Sequence, residues 1–212
     1  MILKKQQQML WSQQMRKGGP GRGPRVGTVK LTRDGWVIAA YEALLRGGPR
    51  AVAVANLAED LEVTRGSFYH YFKDRDELLV AALEKWEQEA TQTFIDRAAN
   101  ESGPAARLES LFAQVFREPT ELASAERRLL ANRGESVAVA AVVDRVVARR
   151  LAFLAECYRA LGYDEVGAED RATVAYMMFT GWLYLEQPPD HQSTATTERM
   201  ADLAKEMLLP TE

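Results

Sequence analysis

Apolar residues recur at helical spacing over almost the whole chain beyond position 31, and strand-like alternation is scarce; "RAVAVAN" is the one rival stretch. In "LTRDGWVIAAYEALLRGG", Trp36, Ala40 and Leu44 share a face, with Val37 and Tyr41 beside it. Thr32 stands where an N-cap belongs, Leu31 and Trp36 take the hydrophobic-staple positions, and Gly47-Gly48-Pro49 ends the run. "VANLAEDL" predicts a short helix with Val54, Leu57, Ala58 and Leu61 on one side, and a long helix is expected from about Asp74 to Ala98. After Gly103-Pro104 the pattern stays helical. "AARLESLFAQVF" is broken at Pro119, and "ELASAERRLLA" ends near Gly134. "SVAVAAVVDRVVARRLAFLAECYRAL" stops at Gly162, and "EDRATVAYMMFTGWLYLEQ" at Pro188-Pro189; "ATTERMADLAKEMLL" comes last. The expectation is an all-α chain of about nine helices.

Between the short helix and the long one lies "VTRGSFYHYFKDRDELL", residues 63–79. Thr64 is placed to cap a helix, with Val63 and Phe68 at the staple positions. Phe68 and Phe72, four apart, give that helix one apolar face and leave Arg65, Ser67, Tyr69, His70 and Tyr71 to point elsewhere. Gly66 in the first turn suits close approach of another backbone. The helix is expected to end within about two turns, because Asp74 and Glu77 are spaced as cap and third residue of the next one. Two helices across the short turn "LEV", the second anchored by phenylalanines and showing Thr, Arg, Ser and aromatic hydroxyls outward, form a helix-turn-helix layout. Those groups bond phosphates and base edges. The plainer reading of the same pattern is a surface helix with a mixed face.

Charge changes the picture through its distribution. The 212 residues carry a net charge of −3, which argues against a polyanionic partner. Yet residues 1–33 hold eight basic side chains and no acid, leaving 19 basic and 30 acidic beyond, a balance of −11. A basic arm on an acidic body fits either a solvated tail or a segment that follows a polyanion. "RKGGPGRGPRVGTV" is too rich in Gly and Pro, and too aperiodic, for regular structure. The single cysteine, Cys157, excludes an internal disulfide framework and fits a reducing compartment. No run of about 18 apolar residues suggests a membrane span. The first residues lack the apolar stretch of a signal peptide, so a cytoplasmic protein is expected.

At 32–82 the sequence resembles the tetracycline-repressor (TetR) family of bacterial transcription regulators. The likeness runs through "AAYEALLRGG" and "VANLAEDLEVTRGSFYHYFKDRDELL". It implies a three-helix DNA-binding head, a larger ligand-binding and dimerising helical body, and an Ω-shaped homodimer that mostly represses. Carried over position by position, the resemblance assigns Thr64, Arg65 and Gly66 to the opening of the recognition helix and Ser67 to its base-facing small residue. Tyr69 takes the phosphate-binding tyrosine position, and His70 the variable position after it. Lys73 matches the basic residue that grips a phosphate at the start of the fourth helix, and Thr32 and Arg33 fall where the first helix reaches the DNA backbone. Three positions depart from the pattern. Glu62 replaces the usual turn glycine, Ala53 the usual Ser or Thr cap of the second helix, and Tyr71 the usual histidine, with His70 one place early.

The expected layout is a basic arm over 1–30, the head over 31–78 and the body over 79–212. In the body, Trp86, Phe112, Phe116, Tyr158, Met178 and Trp182 are candidate linings of a site for a largely apolar small-molecule effector. Asn132, Asp144 and Arg149 are candidate polar orienters, and Arg149-Arg150 reads more readily as salt-bridging than as an acid site. The last two helices are expected to form the homodimer interface, with Met200, Leu203, Ala204, Met207 and Leu208 as one stripe. The partners expected are double-stranded operator DNA, a small molecule and a second copy of the chain, with no membrane and no cofactor or metal. An enzyme is disfavoured: neither His70 nor His191 follows a Glu by three residues, as a ferritin-like metal motif requires, and Cys157 sits in an apolar helix. A DNA-binding dimer with no ligand remains the other reading.

Overall fold

In a computed structural model, residues 32–115, 121–184 and 194–209 are described, and they form helices joined by short turns. Helix α1 spans Arg33–Gly47, α2 Val54–Asp60 and α3 Arg65–Phe68. Helix α4 runs from Arg75–Glu87 through a π-helical turn, Gln88–Gln92, into Thr93–Ala99. Then come α5 (Pro104–Val115), α6 (Glu121–Ala131), α7 (Val137–Ala160), α8 (Glu165–Tyr184) and α9 (Thr194–Leu208). These nine helices of the described residues agree with the all-α expectation, and no strand occurs among them. The stretch that reads as a strand rival is a 3-10 turn, Pro49–Ala51, leading into α2.

The helix starts follow from local chemistry. Thr32 Oγ1 accepts the Gly35 N–H at 3.2 Å. Asp74 accepts the Glu77 N–H at 2.9 Å, and Glu77 reaches back to accept the Lys73 N–H at 2.8 Å, a reciprocal cap that fixes where α4 begins. Helix α8 starts at Glu165, four residues ahead of the run that periodicity marks, because Asp164 accepts the Gly167 N–H at 2.8 Å. Helix α3 is shorter than expected, a single turn. Thr64 sits at its N-cap, but its hydroxyl caps nothing; the Thr64 carbonyl instead accepts the Ser67 hydroxyl at 2.7 Å. The chain nevertheless stays coiled to Phe72, whose N–H reaches the Phe68 carbonyl at 3.1 Å.

Buried rings and small residues set the helices against one another. Trp36 of α1 meets the edge of Phe68 at 5.4 Å, and Phe68 stacks on Phe72 at 5.6 Å, so α3 is pinned to α1 by buried rings. In the body, Ala168, Ala172 and Ala175 of α8 lie against Leu154, Ala155 and Tyr158 of α7. Small residues on one face let two long helices approach closely. Leu108 and Phe112 of α5, with Ala204 and Leu208 of α9, complete that core. Helix α4 belongs to both parts: its start abuts α3, and its π-turn and last turns reach the body. Residues from Thr32 onward accordingly form one compact unit.

Candidate nucleic-acid interface and body cavity

Helices α2 and α3 meet across residues 61–64. The Val63 N–H bonds the Ala58 carbonyl at 2.9 Å and the Glu62 N–H bonds that of Glu59 at 3.0 Å, a Schellman cap. Glu62 sits at its left-handed position with φ 55°, the one non-glycine with positive φ among the described residues. Ala53 begins α2 with no side-chain cap. Both sequence departures therefore have structural consequences.

Thr64, Arg65, Gly66, Tyr69, His70 and Lys73 all face solvent, Ser67 and Tyr71 are half-buried, and Tyr69 is 68% exposed, its ring edge on Phe68 at 5.1 Å. Thr32 and Arg33 are exposed at the start of α1, and the Arg33 guanidinium lies 4.8 Å over the Phe72 ring. That contact ties the start of α1 to the end of the α3 turn. The surface is supported from behind by Arg75, which sequence pattern does not single out. Its Nε donates to the Val52 carbonyl at 2.8 Å and its Nη2 to that of Pro49, fastening the start of α4 beneath the connection from α1 to α2.

The body holds a cavity of about 110 Å³. Helix α4 contributes Ala90 and Thr91 from the π-turn, then Phe94 and Ile95; α5 contributes Leu111, Phe112, Gln114 and Val115. Ala123 and Glu126 come from α6, Arg150, Phe153 and Leu154 from α7, and Ala175, Tyr176 and Phe179 from α8. A buried ion pair sits in its wall. Arg150 forks onto Glu126, one contact at 3.0 Å, while its Nε donates to Thr91 Oγ1 at 3.1 Å and its Nη2 to the Ala90 carbonyl at 2.9 Å. Its guanidinium lies 5.4 Å over the Phe179 ring. A π-turn displaces the regular helical hydrogen-bond pattern, and Arg150 holds the displaced segment. Although burial works against its charge, the Glu126 carboxylate raises the Arg150 pKa above its ordinary value.

Residues 38–82 match the family model described as bacterial regulatory proteins, tetR family. Over that segment the chain is similar to the DNA-binding part of tetR-family regulators. Solved structures agree in fold. A transcriptional regulator from Rhodococcus sp. Rha1 is 17% identical, with a TM-score of 0.68 over 84% of this chain and 96% of that one. The reduced form of NemR from E. coli is 20% identical, with a TM-score of 0.67 over 83% and 96%. A protein from Saccharomonospora viridis, solved in complex with choline, is 14% identical, with a TM-score of 0.69 over 82% and 94%. No curated protein matches the chain in sequence.

The ten residues that the resemblance assigns to DNA gather on α3, its flanks and the start of α1. The six body candidates do not gather. Phe112 lines the cavity; Trp86 and Tyr158 are fully buried elsewhere, Met178 and Trp182 pack half-buried against the α7–α8 core, and none of those four lines it. Phe116 lies outside the described residues, as do the arm and His191. The polar candidates are engaged away from the cavity: Asn132 donates to the Arg128 carbonyl at 2.6 Å, Asp144 pairs with Arg133, and Arg149 lies 3.7 Å from Glu87. Both members of Arg149-Arg150 form salt bridges, as their sequence suggests. Sequence reasoning misses Gln114, Glu126 and Tyr176 as cavity groups, and no periodic signal marks them. Cys157 is buried and its thiol is pushed up to about 11, which makes it a poor nucleophile. Among the described residues no helix is long and apolar enough to cross a membrane, and no group of three or more His, Cys, Asp or Glu is placed to hold a metal ion.

Proposed function

We propose that this regulator is a homodimeric repressor that binds a palindromic operator through α3 and releases it when a small molecule enters the body cavity. One observation carries the reading: the same helix, α4, starts at the reciprocal cap beside α3 and ends in the cavity wall at Ala90, Thr91, Phe94 and Ile95. A molecule that favours a shifted α4 changes the spacing of the two recognition helices in a dimer, provided its affinity differs between the two forms. The choline complex of a structural neighbour supports a fold that takes small molecules.

Dimerisation is supported by apolar side chains left in solvent on α8 and α9. Val174, Met177 and Tyr184 recur along one side of α8, together with Gly181, whose missing side chain leaves open space. On α9 the expected single stripe splits. Ala204 and Leu208 turn inward, while Leu203 and Met207 remain exposed, the latter at 65%. A two-fold pairing of these helices covers such side chains, and symmetry then demands two half-sites about 34–36 Å apart. The roles of Thr32, Arg33, Thr64, Arg65, Gly66, Ser67, Tyr69, His70, Tyr71 and Lys73 in DNA contact belong to this proposal, as does the division into head and body near residue 78.

The test measures operator affinity by fluorescence anisotropy for a palindrome and for one isolated half-site, together with sedimentation of the free protein. Tight binding of the palindrome by a dimer, lost in Met177→Lys together with dimerisation, is the expected result. Equal affinity for the half-site, or a monomer that binds the palindrome undiminished, overturns it.

A further inference from the structure

The wall of the cavity says more about its occupant than its volume does. An apolar cavity of about 150 Å³ accepts one benzene ring, so a space of about 110 Å³ suits a molecule of roughly one ring. Phe94, Phe112, Phe153 and Phe179 supply aromatic faces and edges for it.

Charge on the occupant is disfavoured from both sides. Both Glu126 oxygens are taken by Arg150, and the Glu126 side chain is only 5% exposed. Arg150 spends further donors on Thr91 and on the Ala90 carbonyl. An anion that pairs with Arg150 must displace Glu126, and a cation that pairs with Glu126 must displace Arg150. Either exchange leaves a buried charge without its partner, which is costly in a low-dielectric site.

Two polar atoms in the same wall have hydrogen-bonding capacity to spare. Gln114 Oε1 is buried and unpartnered. Its orientation is set, because Gln114 Nε2 donates to the Ser110 carbonyl at 3.0 Å and a carbonyl can only accept. The Tyr176 hydroxyl is likewise buried; Arg150 can only donate toward its oxygen, so the hydroxyl proton has no acceptor among the described residues. Burial, with Glu126 nearby, pushes its phenol upward, Arg150 offsetting part of the rise, so it stays protonated and able to donate. Buried polar atoms are rarely left unpaired, and a ligand in the cavity can complete both the Gln114 acceptor and the Tyr176 donor.

We infer that the cavity binds an uncharged, single-ring molecule carrying a hydroxyl or similar hydrogen-bond donor, with Gln114 Oε1 and the Tyr176 hydroxyl as its polar recognition groups. This deepens the proposed effector role and rests on it only for the consequence of binding, not for binding itself.

Calorimetry with four one-ring probes tests it: phenol, toluene, benzoate and benzylammonium. The full-length wild-type protein should bind phenol more tightly than its isostere toluene, and the two ions weakly or not at all. Gln114→Met and Tyr176→Phe, each checked for unchanged helicity, should bind toluene as well as wild type does while losing the preference for phenol about tenfold, the scale of one hydrogen bond. If one variant fails to fold, the other decides. Toluene binding more tightly than phenol in wild type, either ion binding best, no binding by phenol, or a phenol preference that survives in the folded variants overturns the inference. Operator release is measured separately. Phenol that binds without weakening the operator complex leaves this assignment standing and removes the effector role; release by a compound of another class, with no phenol binding, does the reverse.

Discussion

Glu62 and Gly162 occupy the same place in the same turn. Each follows a helix, at φ 55° and 95°, and in each case the next residue closes a Schellman cap, Val63 onto Ala58 and Tyr163 onto Tyr158. Glycine takes this conformation freely, whereas a side chain pays about 1–2 kcal/mol for it. Glu62→Gly should therefore stabilise the protein by about 1 kcal/mol, partly offset by the greater freedom of glycine in the unfolded chain. It also removes an acid beside the recognition helix, so operator affinity should rise most at low salt. Urea unfolding checks the first effect; a lowered midpoint contradicts it.

Recognition should depend on exposed groups of α3 and its following turn. Arg65→Ala is expected to weaken operator binding by about 1–3 kcal/mol if it pairs with a base, and Tyr69→Phe by less, consistent with one phosphate contact. Neither side chain belongs to the buried core, so helicity and unfolding midpoint should hold. Footprints indistinguishable from wild type in both variants would place recognition on another element.

Arg128 of α6 donates through Nη1 to the Leu45 carbonyl at 2.9 Å, linking the body to the last turn of α1. Arg128→Met should leave cavity affinity and bare operator affinity nearly unchanged but shrink the factor by which an effector weakens DNA binding. Because coupling is reciprocal, the same loss must appear in the effect of DNA on effector affinity. Calorimetry with free and DNA-saturated protein reads both; an undiminished factor excludes Arg128 from the route.

The Glu126–Arg150 pair allows a double-mutant cycle. Arg150→Met alone strands a buried carboxylate and should cost about 3–5 kcal/mol. Adding Glu126→Leu should recover most of that loss, since the stranded charge is gone. Losses that simply add would mean the two side chains act independently.

The arm over residues 1–29 supplies Arg22 and Arg25 nearest the head. Deleting it should flatten the slope of log K against log salt by about two units, at about 0.9 per neutralised phosphate. Selectivity for operator over random DNA should barely change, because phosphate contacts carry little sequence information. An unchanged slope assigns the arm no phosphate contacts.

By itself the sequence determined most of the helices and the local caps around α3. Asp74 and Glu77 cap locally, Trp36, Phe68 and Phe72 pattern locally, and the departures at Ala53 and Glu62 are legible because each concerns one residue and its immediate backbone. Even there, the reach of Arg33 to Phe72 and of Arg75 to Pro49 and Val52 came from the fold. The body was decided by tertiary structure. Phe112, Tyr158 and Trp182 look alike in a helical pattern, since an apolar face is apolar whether it meets another helix or a void. Which of them lines the cavity depends on how α4, α5, α6, α7 and α8 are set against one another. Glu126 and Arg150 lie 24 residues apart, and Thr91 lies 59 from Arg150. No periodicity encodes that meeting, because a buried ion pair is specified by the approach of separate helices and not by spacing along one of them.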